Sequence, residues 1–99
     1  MEPVTATQGF AAMGSEPRFA VLQTLVKAGA DGLRVGEIQD RTGIPASTLA
    51  HHLKFLASAD LVIAERQGRT IINRANFTHL EALAAFILQE CCVDEKGTS

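Results

Sequence analysis

The chain has 99 residues, 46% of them apolar, with a formal net charge of −2 from 9 Lys and Arg against 11 Asp and Glu. That length gives room for one domain, residues 1–99, near the size at which a partner subunit often supplies further burial, and the apolar content argues against wholesale disorder. No apolar run approaches the ~18 residues of a spanning helix and no basic-then-apolar leader opens the chain, so a cytoplasmic protein without a membrane partner is the expectation; the two cysteines are adjacent and cannot frame a small secreted fold.

Met1 to Thr7 lacks periodicity and reads as frayed, while Gln8 to Met13 is expected to form a short helix presenting Phe10 and Met13. Ser15-Glu16-Pro17 is a helix start, with Ser15 as N-cap and Pro17 in the first turn. The helix that follows carries Phe19, Leu22, Leu25 and Val26 on its predicted inner face and stops at Gly29. After a loop from Gly29 to Gly32, Val35 to Thr42 reads as a short helix with Val35 and Ile38 inward and Gly43 ending it.

The next helix is the most informative stretch. Pro45 is expected at its first position, where a missing amide costs nothing. Leu49, Leu53 and Leu56 recur at helical spacing, which leaves Ser47, Thr48, His51 and Lys54 pointing outward. These side chains can donate to base edges or phosphates, and no acidic residue lies between Ile44 and Ala59 to repel a phosphate backbone. Leu61-Val62-Ile63-Ala64 and Thr70-Ile71-Ile72-Asn73 are β-branched runs flanking Gln67-Gly68, a hairpin signature with Arg66 and Arg69 on either side of its turn. Phe77 to about Cys92 is the last predicted helix, and a polar tail runs from Asp94. The segment Pro45 to Arg74 carries a local charge of +2, whereas Ala75 to Ser99 carries −3. The basic side therefore coincides with the candidate reading head, and its modest size predicts binding that weakens quickly with salt.

The order helix, helix, helix-turn-helix, hairpin, helix (α-α-α-α-β-β-α) defines a mainly α fold with a β-hairpin wing, a winged helix-turn-helix. Through Glu37-Ile38, Thr42-Gly43, the run Ser47 to Leu56 and Ala59-Asp60-Leu61-Val62, the chain resembles the ArsR/SmtB family of metalloregulatory repressors over nearly its whole length. The resemblance implies that Pro45 to Leu56 enters the major groove while the wing touches backbone or minor groove. Ser47, Thr48, His51 and His52 would then read bases and phosphates, with Lys54 on phosphate and Arg66 and Arg69 at the wing tip. His52 has the alternative of packing at the edge of the core. Ala50 stands where family members often have serine, which implies a different operator preference. The resemblance further implies a homodimer joined through the first and last helices, on an inverted-repeat operator. The stripe Leu80, Leu83, Ala84, Ile87 and Cys91, widened by Phe86 and Leu88, agrees with that.

Cys91-Cys92 is the candidate sensing site. Thiolates are soft ligands, and trivalent arsenic, antimony and monoalkyl arsenicals prefer two or three of them. Within the family, one type places a Cys-Val-Cys motif before the recognition helix, where this chain has Leu33-Arg34-Val35-Gly36-Glu37 without cysteine. Some arsenite-sensing relatives carry a vicinal pair in the last helix and a third cysteine a few residues later. This chain has the pair and lacks the third. Trivalent arsenic as inducer is thus the reading, with no constitutive cofactor.

Three alternatives stand beside it. A zinc-type site would draw on His79 with Glu90, Asp94 or Glu95 across the dimer. A redox or persulfide switch would use the same two thiols, although adjacent cysteines close only a strained ring. Cys91 could also serve as a small apolar residue in the dimer interface. An enzyme is not expected, because Cys91 and His79 would lie about 18 Å apart on one helix and no glycine-rich phosphate loop is present. A winged helix that binds protein and has no DNA affinity is the rival from a different class.

Overall fold

The computed structural model describes residues 1–96, so the last three residues of the expected tail lie outside the described residues. The elements are α1 (Pro3–Met13), α2 (Glu16–Ala28), a 3-10 turn (Gly29–Asp31), α3 (Val35–Thr42), α4 (Ala46–Ser58), β1 (Val62–Gln67), β2 (Thr70–Ala75) and α5 (Phe77–Leu88). This is the expected winged helix-turn-helix order.

Helix α1 is longer than the sequence suggested. It starts with Pro3 in its first turn, and Ala6, Gly9 and Ala12 are its buried residues, with Phe10 and Met13 half-buried. Small side chains give almost no hydrophobic periodicity, which is why Met1 to Thr7 read as frayed. Helix α2 begins after Ser15, the predicted N-cap, and ends at Gly29, whose φ of +73° takes the chain out of the helix. Its buried residues are Val21, Leu22 and Leu25, whereas Phe19 and Val26, expected inside, are each 42% exposed.

Between α3 and α4 the turn is held by Thr42, whose hydroxyl donates to the Ile38 carbonyl at 2.8 Å and accepts from the Ile44 amide at 3.3 Å. Gly43 adopts the left-handed conformation that stops α3. Pro45 caps α4 rather than opening it, one residue away from its expected place. At the other end of α4 the chain turns through Asp60 at φ +62°. The Leu61 amide reaches the Leu56 carbonyl at 2.9 Å and the Asp60 amide reaches Ala57 at 3.0 Å, the bond pair of a Schellman motif.

Strands β1 and β2 pair antiparallel from Val62↔Ala75 to Gln67↔Thr70. Both are longer than predicted, and the two-residue turn is Gly68-Arg69 rather than Gln67-Gly68. Gly68 sits at positive φ, and no such φ is recorded for Arg69, the signs of a type II′ turn. A third short segment joins the wing, because Leu33 exchanges both backbone hydrogen bonds with Asn73 at 2.8 Å.

The Asn76 side chain caps α5 by accepting from the His79 amide at 3.3 Å, and it donates to the Asp60 carbonyl at 2.9 Å. The helix ends at Leu88, so the expectation that it reaches Cys92 is corrected. Beyond Phe86 the apolar side chains are open, with Ile87 63%, Leu88 62% and Val93 70% exposed. Nothing among the described residues buries them, so no packing energy extends the helix. The core gathers Val21, Leu22 and Leu25 from α2, Ile38 from α3, Leu49, Leu53 and Leu56 from α4, and Leu83 from α5.

Candidate nucleic-acid interface

Burial of Leu49, Leu53 and Leu56 fixes which way α4 faces, and Ser47, Thr48, His51 and Lys54 emerge on its open side. The first turn of α4 carries no acidic residue and no side-chain cap, so its amides stay available to an incoming phosphate. Arg66 and Arg69 are exposed at the wing tip, and Arg66 Nε donates to the Gly68 carbonyl at 3.2 Å, which steadies the turn. The ion pairs among the described residues are Arg34 with Glu37 and Arg74 with Glu65. Lys54, Arg66 and Arg69 take part in neither. Arg74 also donates to the Ala30 carbonyl at 3.4 Å, so it braces the wing instead of adding to the basic face.

His52 does not join that face. It is 9% exposed, and its Nδ1 is buried without a hydrogen-bond partner. Burial, followed by the positive charges of Arg18 and His51, holds its imidazole below the ordinary value of 6.5 and favours the neutral form. The direct reading role expected for His52 is therefore corrected to the stated alternative, packing at the core edge. Its place in the run Ala50-His51-His52-Leu53 decided this, since it follows one residue after the exposed His51 and directly precedes a core leucine.

Sequence reasoning missed a stack beside the reading residues. Phe55 is 44% exposed, its ring meets His51 edge-on with centroids 5.1 Å apart, and the Arg18 guanidinium lies over it at 4.9 Å. Arg18 is far from Phe55 in sequence, and only the crossing of α2 over α4 brings them together.

Cys91 and Cys92 lie in the turns after α5, both exposed, with Sγ atoms 3.3 Å apart. The hydrogen bond to Cys91, and then one involving Glu95, pushes the Cys92 thiol up from its ordinary value. Among the described residues no group of three or more His, Cys, Asp or Glu side chains is placed to hold a metal within one protomer. His79, the imidazole a zinc-type site would draw on, is half-buried with its Nε2 unpartnered.

Comparison with known proteins places these features. The family model described as a helix-turn-helix domain matches residues 13–64. An uncharacterized HTH-type transcriptional regulator of Bacillus subtilis (strain 168) is 33% identical over 63 residues, 64% of this chain and 62% of that protein. This chain thus matches less than two thirds of that relative's length. Among solved structures, an ArsR-like transcriptional regulator from Rhodococcus sp. RHA1 is 25% identical over 92% of this chain and 82% of its own, with a TM-score of 0.78. A homodimeric winged helix-turn-helix DNA-binding domain from Mycobacterium bovis shares the fold at 22% identity, covering 96% of this chain and 88% of that one with a TM-score of 0.67. The proteins that resemble this chain are transcriptional regulators and not enzymes. Among the described residues, no helix is long and apolar enough to cross a membrane. The chain belongs to the helix-turn-helix domain family, and around that motif it carries the winged-helix fold of the ArsR-type transcriptional regulators.

Proposed function

We propose that the protein is a homodimeric, cytoplasmic repressor that reads an inverted-repeat operator with α4 and the wing and is released when trivalent arsenic engages Cys91 and Cys92. The observation that carries the DNA reading is the open, acid-free face of Ser47, Thr48, His51 and Lys54, flanked by wing arginines in no ion pair. A helix of this shape fits the major groove, while wing-tip guanidinium groups suit phosphate or minor groove.

Dimerisation is supported by shape and by exposed apolar surface. The protomer measures 58 × 24 × 23 Å with a radius of gyration of 15.9 Å, against the ~13 Å of a compact chain of this length. Val4, Ile87 and Leu88 are each more than 60% exposed on the two outer helices, which is apolar surface of the kind a second copy covers.

The arsenic reading is supported by two exposed thiols within one ion's reach. Each thiol that binds would replace a hydroxide of the arsenical, and its proton would leave with that hydroxide as water, so no net proton is released. A redox or persulfide switch on the same sulfurs is the second reading, favoured by the same short Sγ separation.

The test is fluorescence anisotropy on DNA from upstream of the protein's own gene, titrated with arsenite and then methylarsenite under reducing conditions. Tight binding reversed by either compound, with release abolished and binding retained in the Cys91→Ser/Cys92→Ser protein, is the expected result. A tenfold change in affinity corresponds to about 1.4 kcal/mol of coupling. Binding that ignores both arsenicals but yields to an oxidant would replace arsenic with the redox reading. Absence of DNA affinity at low salt would leave a protein-binding winged helix.

A further inference from the structure

We propose that Arg18 is the joint through which the α1–α5 helix pair sets the position of the reading helix, so that a shift of α5 is felt at His51. This deepens the DNA-binding reading above and rests on it for its meaning, although one arm of its test does not.

The links form an unbroken series of contacts. Gly9 on α1 is buried, and a Cβ there would sit 3.0 Å from Leu83 Cδ1 and 3.2 Å from Cδ2. Leu83 is the buried residue of α5, so backbone of one helix lies directly on the anchoring side chain of the other, and neither moves without the other. At the end of α1, Arg18 Nε donates to the Ala12 carbonyl at 2.6 Å and its Nη2 to Ala11 at 3.4 Å. These carbonyls belong to the last turn, where a cation is favoured, and Ala11 also accepts from the Gly14 amide at 3.2 Å. A charge-assisted bond of that length makes the guanidinium follow α1.

The same guanidinium lies 4.9 Å from the Phe55 ring centroid, a cation–π contact on α4. Phe55 in turn holds His51 edge-on at 5.1 Å, one helical turn away on the same face. Leu83, Gly9, Ala12, Arg18, Phe55 and His51 thus connect the helix that precedes the cysteine pair to a residue of the reading face. Of the six, Arg18 bridges three helices: its backbone is in α2, its nitrogens are on α1 and its charge is on α4.

The experiment perturbs one end and reads the other. Gly9→Ala forces Leu83 and α1 apart by a few tenths of an ångström. In the full-length 15N-labelled protein without DNA, the His51 and Phe55 amide resonances are expected to shift in Gly9→Ala. In Arg18→Met the same substitution is expected to leave them in place while resonances around Leu83 still move. Operator affinity should follow, falling at least tenfold in Gly9→Ala alone and less than twofold when it is added to Arg18→Met.

Equal shifts with and without Arg18 would overturn the proposal and assign transmission to direct packing of α1 on α4. No shift at His51 in either background would overturn it as well. Phe55 is 44% exposed, so Phe55→Leu preserves the fold and severs the series one contact later; an unaltered Gly9→Ala effect in that background also overturns it. If the resonances behave as expected and no DNA is bound, the joint stands and the operator reading falls.

Discussion

Gly32 lies so close to Asn73 that a Cβ on it would stand 2.5 Å from the Asn73 carbonyl oxygen, and its φ is +66°. The approach is what lets Leu33 pair with Asn73 and fix the wing to the helical body. Gly32→Ala faces both an unfavourable φ and a clash with backbone that cannot rotate away. We expect a loss of about 2 kcal/mol or more, measured by urea unfolding. A change under about 0.5 kcal/mol, the scale of an ordinary surface substitution, would show that the wing is not anchored there.

Asp60 makes the opposite case. It occupies the left-handed position after α4 at φ +62°, a place where glycine is the usual residue. Asp60→Gly removes that strain and keeps the Schellman bonds, which are made by backbone. The expected gain is about 0.5–1 kcal/mol in thermal or urea unfolding, partly offset by the larger entropy of the unfolded glycine chain. Destabilisation instead would mean that the Asp60 side chain itself holds the corner.

How far the fold was legible in the sequence follows from how each element is stabilised. Helix α4 and the hairpin were readable because leucines at helical spacing and β-branched runs carry their burial in the residue types themselves. Helix α1 was not readable over its first half, because Ala6 and Gly9 work by being small, and smallness has no hydrophobic signal. The faces of Phe19 and Val26 were misassigned because Val21, Leu22 and Leu25 offer an equally periodic stripe, and only the packing against α3 and α4 chooses between them. The end of α5 was overextended because Ile87, Leu88 and Cys91 continue an apolar pattern that this protomer alone does not bury. At the candidate interface, the outward set of α4 was legible from its spacing. The Arg18–Phe55 contact depends on a helix crossing that no local pattern encodes.

The buried imidazole of His52 makes stability pH-dependent in a defined window. Its folded value lies below 6.5, so just beneath 6.5 the unfolded chain binds more protons than the folded one. The His52 contribution is therefore intact above about 6.5 and declines as pH falls from there towards the folded value. Glu37, held down by hydrogen bonds from the Arg34 amide and side chain, acts in a separate window, its contribution declining only as pH falls below about 4.5. Urea unfolding between pH 7.5 and 5.5 should show a slope in the natural protein that flattens in His52→Met. An unchanged slope would place the proton uptake elsewhere.

The reading face predicts two kinds of DNA defect. Lys54→Ala and Arg69→Ala remove exposed charges that contact phosphate once in each half of the proposed dimeric complex, so each should weaken all sequences alike and lower the salt slope by about two. His51→Ala and Thr48→Ala should instead reduce discrimination between the operator and a sequence altered within one half-site, by about 1–3 kcal/mol for a lost base contact. Anisotropy on both DNAs across a salt series separates the two. If all four variants lose affinity uniformly with unchanged discrimination, α4 is not read out in the major groove.

The outer helices separate assembly from folding. Leu83 is 2% exposed and its side chain packs inside the protomer against Gly9, whereas Ile87 and Leu88 on the same helix are open. Leu83→Ala leaves a cavity and should cost about 2–5 kcal/mol of stability. Ile87→Glu and Leu88→Glu change side chains that are more than 60% exposed in the protomer, so circular dichroism of a diluted sample should be unchanged. Each places a carboxylate on the apolar surface that the proposed second copy covers, where an unpaired charge is costly. Light scattering is therefore expected to give twice the chain mass for the natural protein and one chain mass for the glutamate variants. Operator affinity should fall with it, because two half-sites are held together only by the dimer. Glutamate variants that keep the dimer mass would move the interface away from the end of α5, and with it any route by which Cys91 and Cys92 act on assembly.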